Sequence, residues 1–514
     1  MEIALAALCL SPLLLLPLTR DSGLFACAGR AVCDGRQLYR DVADQKGPAV
    51  GLTYAAAEWL FGATPVGCRG YFALVALVGS QLAAALGERL SGRAARLPCA
   101  LCFALAALRG DAAAAWMTAQ PDDLIGVLTL AACVALCRGA DGRGAWDGVA
   151  GGLLGVACLL KPTALMPMAA LGVALLLDAR GGRRAIGRLL RFGVGGVVPV
   201  AAGAWHLLHG GVLRDCWQLV WEFNRAAYVP SGWAWRLYQS LGIADAGTRG
   251  LLLLSVLWMA LGRRRDRGAA KYVGLALLGS WLAVIWQGQF FAYHWTPVSA
   301  CLAVFAGCAI SAACERLVAR GAAPRIVRVR PVAVAIALAW LAAPADPMGV
   351  AELARRGLTV ALGRTTLAEF QSSIRVGATR AGAVAAAAEH IREHSRASDG
   401  LVILGHESEL QFLAGRDSPS RFINDGYLYL PSPMRGAWRA EFLAALRRWP
   451  PAYVVVVHGD STPFEPQDSW TQLQSFGELR DWLAAGYHAE RRFDALELFA
   501  RQPDPTAAAV HLRQ

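Results

Sequence analysis

Residues 3–18, IALAALCLSPLLLLPL, form an apolar run that is followed at once by the polar segment 20–48, RDSGLFACAGRAVCDGRQLYRDVADQKGP. This polar segment carries nine charged side chains, of which Arg20 and Asp21 are the first two. An ionisable group at the end of a hydrophobic helix is costly, so such groups are usually paired or functional. The junction therefore predicts a first membrane helix with a candidate site at its end.

In the rest of the chain, apolar runs again alternate with polar connecting segments. Of 514 residues, 56% are hydrophobic and 17% are charged, and the mean hydropathy is +0.39. In a soluble protein about a quarter of the residues are charged. The composition therefore predicts a polytopic α-helical membrane protein. The first run has no basic residue before it and many apolar runs follow, which favours a retained helix over a signal peptide.

Eleven apolar runs are long enough to span or nearly span a bilayer, and we expect about eleven transmembrane helices. The runs are 3–18, 69–88, 97–110, 122–137, 147–160, 163–178, 192–209, 248–262, 271–287, 296–313 and 331–343. Together they define a predicted membrane domain over residues 1–343, with long polar segments at 19–68 and 210–247. The second of these mixes aromatic and charged residues at spacings suited to a helix in the membrane interface.

Arginine clusters give the orientation. The net charge is +12, and the basic residues gather in every second loop rather than in one patch, which indicates topology and not a nucleic-acid partner. The positive-inside rule places these loops in the cytoplasm. We therefore expect a multi-pass protein of the cytoplasmic (inner) membrane, with its N-terminus inside and the region after residue 343 outside.

Residues 344–514 differ in kind from the rest of the chain. Helical patterns such as AGAVAAAAEHIREH alternate with short apolar runs such as GLVILGH and AYVVVVHG. Helices that alternate with continuous apolar strands are typical of a partly parallel sheet. The sequence thus predicts a C-terminal extracytoplasmic α/β domain.

Carboxylates recur at the predicted outer ends of the apolar runs. Asp21 follows the first run, and Asp122 and Asp123 follow Pro121 at the start of the fourth. Such groups could divide the roles of general base and orienting residue, or share a divalent cation. A solvated helix end for Asp21 and helix capping for the other two remain alternatives.

Two lysines and an aromatic–histidine pair fall on the same predicted face. Lys46 lies in DQKGP and Lys161 in LLKPTAL, whereas the chain uses arginine almost everywhere else. A compact ammonium group suits a phosphate, and snorkelling toward lipid headgroups is the alternative. Tyr293 and His294 lie in FFAYHWTP, where an aromatic belt would also explain them.

Charges of both signs on one face of a hydrophobic bundle suit a substrate with an apolar tail and an anionic head, such as a polyprenyl-phosphate sugar. A carboxylate would deprotonate an acceptor hydroxyl, and cations would stabilise the departing phosphate. The sequence contains no Walker motif and no GxGxxG after a predicted strand, so no nucleotide cofactor is expected.

These residues resemble the GT-C superfamily of integral-membrane glycosyltransferases, in the bacterial branch related to protein O-mannosyltransferases and the lipid A aminoarabinose transferase. The resemblance rests on DSGLFACAGRAVCDGRQLYRDVADQKGPAVGLTYAAAEWLFG at 21–62, the turn at Asp122, LLKPTAL, FFAYHWTP, and GHESELQFLAGRDSPSRFI at 405–423. It implies that Asp21 is the catalytic acidic residue, that Lys46 contacts the donor phosphate, and that the acceptor lies outside the cytoplasmic membrane.

The chain departs from this resemblance at one point. Many relatives carry two adjacent acidic residues at the first site, whereas Ser22 follows Asp21 here. Asp34, Asp41 and Asp44 could substitute, although solvated loop carboxylates are the simpler interpretation of all three. The predicted activity is inverting transfer of a sugar from a polyprenyl phosphate to a glycan, a lipid or a protein.

Other functions predict other patterns. An O-antigen ligase or polymerase, which uses a diphosphate-linked donor, would place its main basic site in one large outer loop. A lipid or solute transporter would carry ionisable residues near mid-membrane and show pseudo-symmetric halves, and the sequence shows neither. A scaffold for the C-terminal domain would need fewer spans.

Overall fold

The computed structural model describes residues 1–108, 118–177, 182–228, 232–241, 248–261, 265–319, 329–342 and 346–503. Up to residue 342, the described part is helical. Its helices are α1 Glu2–Leu10, α2 Arg20–Cys33, α3 Pro48–Phe61, α4 Pro65–Ser91, α5 Arg96–Leu108, α6 Pro121–Ala140, α7 Ala145–Leu160, α8 Leu165–Leu177, α9 Gly182–His209, α10 Leu213–Trp217, α11 Asn224–Ala227, α12 Trp233–Ser240, α13 Arg249–Leu261, α14 Arg267–Gln287, α15 Thr296–Ala319 and α16 Val329–Ala342.

Each predicted apolar run overlaps a helix in this set. Residues 109–110, 178, 262 and 343 of these runs lie outside the described residues. Among the described residues, five helices are long and apolar enough to cross a bilayer, and a sixth is added if the bent pair formed by residues 2–15 and 20–33 counts as one span. The helices α7, α8 and α13 are apolar but shorter. Eleven membrane crossings therefore stay a prediction, whereas the helical, membrane-type architecture is present.

Two prolines break the first hydrophobic segment. A 3-10 turn over Ser11–Leu15 follows α1, and Leu16 is extended at φ −71° and ψ 138°, as expected for a residue before a proline. The side chain of Ser22 accepts a hydrogen bond from the Thr19 N–H at 2.8 Å and starts α2 as part of a capping box. As a result α2 runs at 89° to the preceding helix, and the polar segment at 19–68 contains helices α2 and α3.

A buried ion pair corrects the predicted start of the seventh apolar run, 192–209, which lies in α9. The apolar pattern places residues up to 191 in a basic loop, but α9 begins at Gly182. Arg188 lies within the helix, and its Nη2 is 2.8 Å from Oδ1 of Asp147 on α7. Because Asp147 compensates the guanidinium charge, this arginine can be buried where hydropathy alone predicts exposure.

The C-terminal region, residues 346–503, combines helices with one sheet. Its elements are α17 Pro347–Ala361, α18 Leu367–Ser372, α19 Ala381–Glu393, β1 Leu401–Leu404, α20 Ser408–Ala414, α21 Gly426–Tyr429, α22 Arg435–Arg448, β2 Tyr453–Val457, α23 Ser469–Ser475, α24 Gly477–Gly486, β3 Tyr487–Phe493 and β4 Leu496–Arg501. The strand order is β1-β2-β4-β3, with β1 and β2 parallel and the other pairs antiparallel. The sequence pattern missed β3, because its residues are mostly exposed and charged rather than apolar.

Helix α20 of the C-terminal region packs directly on α2. A Cβ atom at Gly23 would overlap the backbone nitrogen of Glu409, so only glycine allows this approach. Two side chains of α2 bind across the contact: Arg20 donates to Glu407 at 2.8 Å, and the Arg30 guanidinium lies 4.1 Å from the centroid of the Phe412 ring. The helix that carries Asp21 is therefore held by the C-terminal region.

We predict that Gly23→Ala separates these two elements. The added methyl group meets backbone rather than a flexible side chain, so the free energy of unfolding should fall by about 1–3 kcal/mol. Thermal unfolding in detergent and limited proteolysis at the C-terminal region would measure the loss. Gly274→Ala on α14 is the matched control, since a Cβ atom there meets no atom within 4 Å. Equal stability of the two variants would contradict the assigned contact.

Candidate functional site

A cavity of about 770 Å³ lies between the helical part and the C-terminal region. It is lined from both sides, and its ionisable lining residues are Arg20, Asp21, Asp44, Lys46, Lys161, Arg225, Tyr228, Arg236, Tyr293, His294, His406, Tyr427 and Glu465. A concave pocket with a few convergent polar groups is the default binding site of a protein. Of the residues predicted from the sequence, Asp21, Lys46, Lys161, Tyr293 and His294 lie here.

Asp21 is placed by the start of α2. It occupies the first turn of the helix, where a carboxylate interacts favourably with the helix dipole. Its Oδ2 accepts a hydrogen bond from Nε2 of Gln120 at 3.2 Å, and the side chain is only partly exposed. Within the described residues the Asp21 carboxylate forms no ion pair.

Lys46 and Lys161 are brought together by a backbone contact. The N–H of Gly47 donates to the carbonyl of Leu160 at 3.0 Å, and a Cβ atom at Gly47 would overlap the carbonyl oxygen of Leu159. The residues next to this contact are Lys46 and Lys161, which both line the cavity. Glycine is therefore required at position 47 for two lysines that are 115 residues apart in the sequence (161 − 46) to share one site.

The two lysines differ in their partners. Nζ of Lys161 lies 2.6 Å from Oδ2 of Asp122 and 5.2 Å from the centroid of the Tyr293 ring. Its side chain is 8% exposed and that of Asp122 is 2% exposed. Lys46, by contrast, forms no ion pair within the described part of the chain. Asp122 therefore holds Lys161 in place, and Lys46 offers the less committed positive charge.

The remaining predicted residues have separate places. The Asp123 Oδ2 accepts a hydrogen bond from the Gln120 N–H at 3.0 Å and completes the capping box of α6. Neither Asp123 nor Asp122 is among the residues that line the cavity. Tyr293 and His294 sit in the turn before α15, with their rings edge to face at 4.7 Å. His294 is buried at 5% exposure, which an interfacial belt residue would not be.

Asp44 is not the solvated loop carboxylate that the sequence suggested. It is 4% exposed, lines the cavity, and accepts a hydrogen bond from the Lys46 N–H at 3.0 Å. Burial raises the pKa of Asp44 to about 6, and the Asp21 charge adds to this, while Lys46 opposes it. Asp34 and Asp41 are exposed, as expected.

The C-terminal residues that line the cavity were not among the predicted site residues. His406 Nε2 lies 2.8 Å from Oε2 of Glu465. Burial disfavours the imidazolium, but the hydrogen bond and charge of Glu465, with the charge of Asp425, raise the pKa of His406 to about 9. For Asp425, in contrast, burial itself raises the pKa, to about 8. The motif GHESEL marks this turn, but nothing in the sequence pairs it with Glu465.

The described residues contain no group of three or more histidine, cysteine, aspartate or glutamate side chains arranged to hold a metal ion. The carboxylates that the sequence suggested as partners have other contacts, since Asp122 binds Lys161 and Asp123 caps α6. The cavity is lined by three carboxyl groups, Asp21, Asp44 and Glu465, and by several basic side chains.

No protein-family model and no curated protein matches this sequence, but solved structures match over its length. ArnT from Cupriavidus metallidurans bound to undecaprenyl phosphate matches with a TM-score of 0.61 at 16% identity, over 98% of both chains. The structure of ArnT from the same organism in the apo state matches with a TM-score of 0.62 at 15% identity, again over 98% of both chains. The archaeal oligosaccharyltransferase AglB from Archaeoglobus fulgidus gives 0.50 at 13% identity, over 98% of this chain and 74% of that chain.

The chain has a GT-C-like fold. The resemblance seen in the sequence is confirmed at the level of the fold. Identities this low show the fold alone. The GT-C-like bundle accounts for the position of the cavity, since it gathers Asp21, Lys46 and Lys161 from three separate segments at one end of the helices.

We predict that Lys161→Met destabilises the protein by about 3–5 kcal/mol, because it leaves the buried Asp122 carboxylate unpaired. The double variant Lys161→Met/Asp122→Leu removes both charges and should recover most of that loss. Arg225→Met is the control, because this side chain is exposed, and it should change the free energy of unfolding by less than about 0.5 kcal/mol. Thermal unfolding in detergent measures all three. A double variant no more stable than Lys161→Met would show that the pair does not hold this lysine.

Proposed function

We propose that the protein is a membrane glycosyltransferase that transfers a sugar from a polyprenyl-phosphate donor to an acceptor outside the cytoplasmic membrane, with inversion at the anomeric carbon. The observation that carries the proposal is the meeting of Asp21, Lys46 and Lys161 in one cavity. The fold supports it, since ArnT, which shares this fold, has been solved with undecaprenyl phosphate.

The proposed step assigns one role to each charge. Asp21 accepts the proton of an acceptor hydroxyl, whose oxygen forms the new bond to the anomeric carbon. The bond from that carbon to the phosphate oxygen breaks, and its electron pair leaves with the polyprenyl phosphate. Lys46 and Lys161 stabilise the charge that develops on the departing phosphate. Asp122 contributes by positioning Lys161, whose Nζ lies 2.6 Å from the Asp122 Oδ2.

The orientation follows from the same proposal. The cavity, the segments 19–68 and 210–247 and the C-terminal region would all lie on the extracytoplasmic side, with the N-terminus in the cytoplasm. The helices α10 to α12 would then lie in the interface on the extracytoplasmic face of the cytoplasmic membrane. Their exposed aromatic side chains are typical of a membrane interface. Trp217 is 54% exposed and Trp233 is 59% exposed.

A donor panel tests the activity. Purified protein in lipid nanodiscs is incubated with radiolabelled polyprenyl-phosphate sugars and a membrane extract as the source of acceptor, and consumption of each donor is followed. We expect wild type to consume at least one donor, and Asp21→Asn to lower kcat by about 10²–10⁴-fold through loss of the base. Lys46→Met should raise the KM for the donor.

Asp34→Asn is the matched control. It removes a carboxylate at the far end of α2, where the side chain is 54% exposed and binds Arg36 outside the cavity. Its turnover should equal that of wild type. The proposal fails if no polyprenyl-phosphate sugar is bound or consumed, or if Asp21→Asn keeps full turnover. Diphosphate-linked sugars are assayed beside this panel, and consumption of those donors alone would instead identify a ligase or polymerase.

A further inference from the structure

The wall of the cavity formed by the C-terminal region carries polar groups that the proposed step does not use. Asn424, Gly426, Thr462 and Glu465 all line the cavity. None of them belongs to the helices that supply Asp21 and the two lysines. Their chemistry therefore needs its own account.

Three side chains of this wall converge on one point above Gly426. A Cβ atom at Gly426 would lie 3.4 Å from Cε1 of His406, 3.5 Å from Oδ1 of Asn424 and 3.6 Å from Oε1 of Glu465. These separations are those of ordinary contact, so the missing side chain leaves a small space bordered by polar atoms. The space opens into the cavity that all four residues line.

Two of the polar groups around this space lack partners in the described part of the chain. Glu465 is 6% exposed, and its Oε1 atom is buried without a hydrogen bond, although Oε2 binds His406. The Asn424 amide, which can both donate and accept, forms no hydrogen bond there either. A buried carboxylate oxygen without a donor is costly, and a bound ligand that supplies one would remove the cost.

The charge of this wall selects against an anion. Glu465 pairs with His406 at 2.8 Å, and among the described C-terminal residues that line the cavity His406 is the only basic side chain. A phosphate would meet the lone pairs of the Glu465 Oε1 atom. A hydroxyl group, by contrast, donates to a carboxylate oxygen and accepts from an amide at the same time. The complementary ligand is uncharged and carries several hydroxyls.

Aromatic rings border the same wall. Phe464 precedes Glu465, and its ring centroid lies 5.1 Å from that of Tyr228 and 5.7 Å from that of Phe291. All three rings line the cavity. The rings meet edge to face, at 80° and 74°. Apolar ring surface beside a few convergent polar groups fits a ligand with one C–H face and one hydroxylated edge.

We propose that Asn424, Gly426 and Glu465 form a sugar-binding subsite that holds one uncharged monosaccharide ring through its hydroxyl groups. His406 is a positioning residue that fixes Glu465 through Nε2. The subsite deepens the proposed transferase activity, on which it rests, because the ring belongs either to the donor or to the acceptor. In both cases the C-terminal region recognises the sugar, while the lysines of the helical part are left for the phosphate.

Binding of simple sugars tests the subsite without knowledge of the natural substrates. Full-length protein in nanodiscs is mixed with millimolar methyl glycosides of common pentoses and hexoses, and saturation-transfer NMR detects the bound ones. We expect at least one glycoside to bind wild type. Loss of one hydrogen-bonding group in Asn424→Ala should weaken it by roughly fivefold, and Gly426→Val should abolish its signal by filling the space.

Gly436→Val is the control, because a Cβ atom there meets no atom within 4 Å, and it should bind like wild type. Undecaprenyl phosphate should bind wild type, Asn424→Ala and Gly426→Val equally, which also shows that the variants are folded. If no glycoside binds, or if both subsite variants bind as wild type does, the subsite is overturned. A wild type that takes glycosides but no undecaprenyl phosphate would refute the donor class instead.

A competition arm identifies which ring the subsite holds. The bound glycoside is challenged with polyprenyl-phosphate sugars of the panel. Displacement by a lipid-linked sugar, but not by undecaprenyl phosphate alone, assigns the subsite to the donor ring. A glycoside that stays bound when the lipid-linked sugar is present assigns it to the acceptor, and either outcome supports a sugar subsite.

Discussion

The close contact between α2 and α20 constrains the whole site. Gly23 lets the backbone of Glu409 approach α2 without a side chain between them, and the Arg20–Glu407 ion pair closes the contact at 2.8 Å. Asp21 follows Arg20, and His406 precedes Glu407. The contact therefore sets the Asp21 carboxylate and the His406 wall on two sides of one cavity, which neither part of the chain could form alone.

Charge pairing then decides which groups remain available for chemistry. A buried ion is costly unless a partner compensates it, and three ions that line the cavity have such a partner: Arg20 with Glu407, Lys161 with Asp122, and His406 with Glu465. Within the described residues, Asp21 and Lys46 form no ion pair. The two groups to which the sequence resemblance gave the central roles are thus among the charges of the cavity that no ion pair holds, together with Asp44 and Arg225.

The sequence predicted much of this arrangement and missed specific parts for physical reasons. Each apolar run overlaps a helix because hydropathy is a local property. The prediction for Asp44 was wrong because this residue is buried by tertiary packing, which the residues next to it in the sequence do not reveal. Asp123 looks like Asp122 in the sequence, yet one caps α6 and the other binds Lys161, a difference set by which side of the helix start each residue occupies.

Composition, periodicity and the arginine clusters determined by themselves that this chain is a helical, membrane-type protein with a different C-terminal region, and the motif order indicated the GT-C-like fold. Only the tertiary structure decided which charges meet. The Gly47–Leu160 hydrogen bond joins Lys46 to Lys161, and the turn at Gly426 brings His406, Asn424 and Glu465 to one point. Local patterns cannot encode such meetings, because they depend on backbone approaches between segments far apart in the chain.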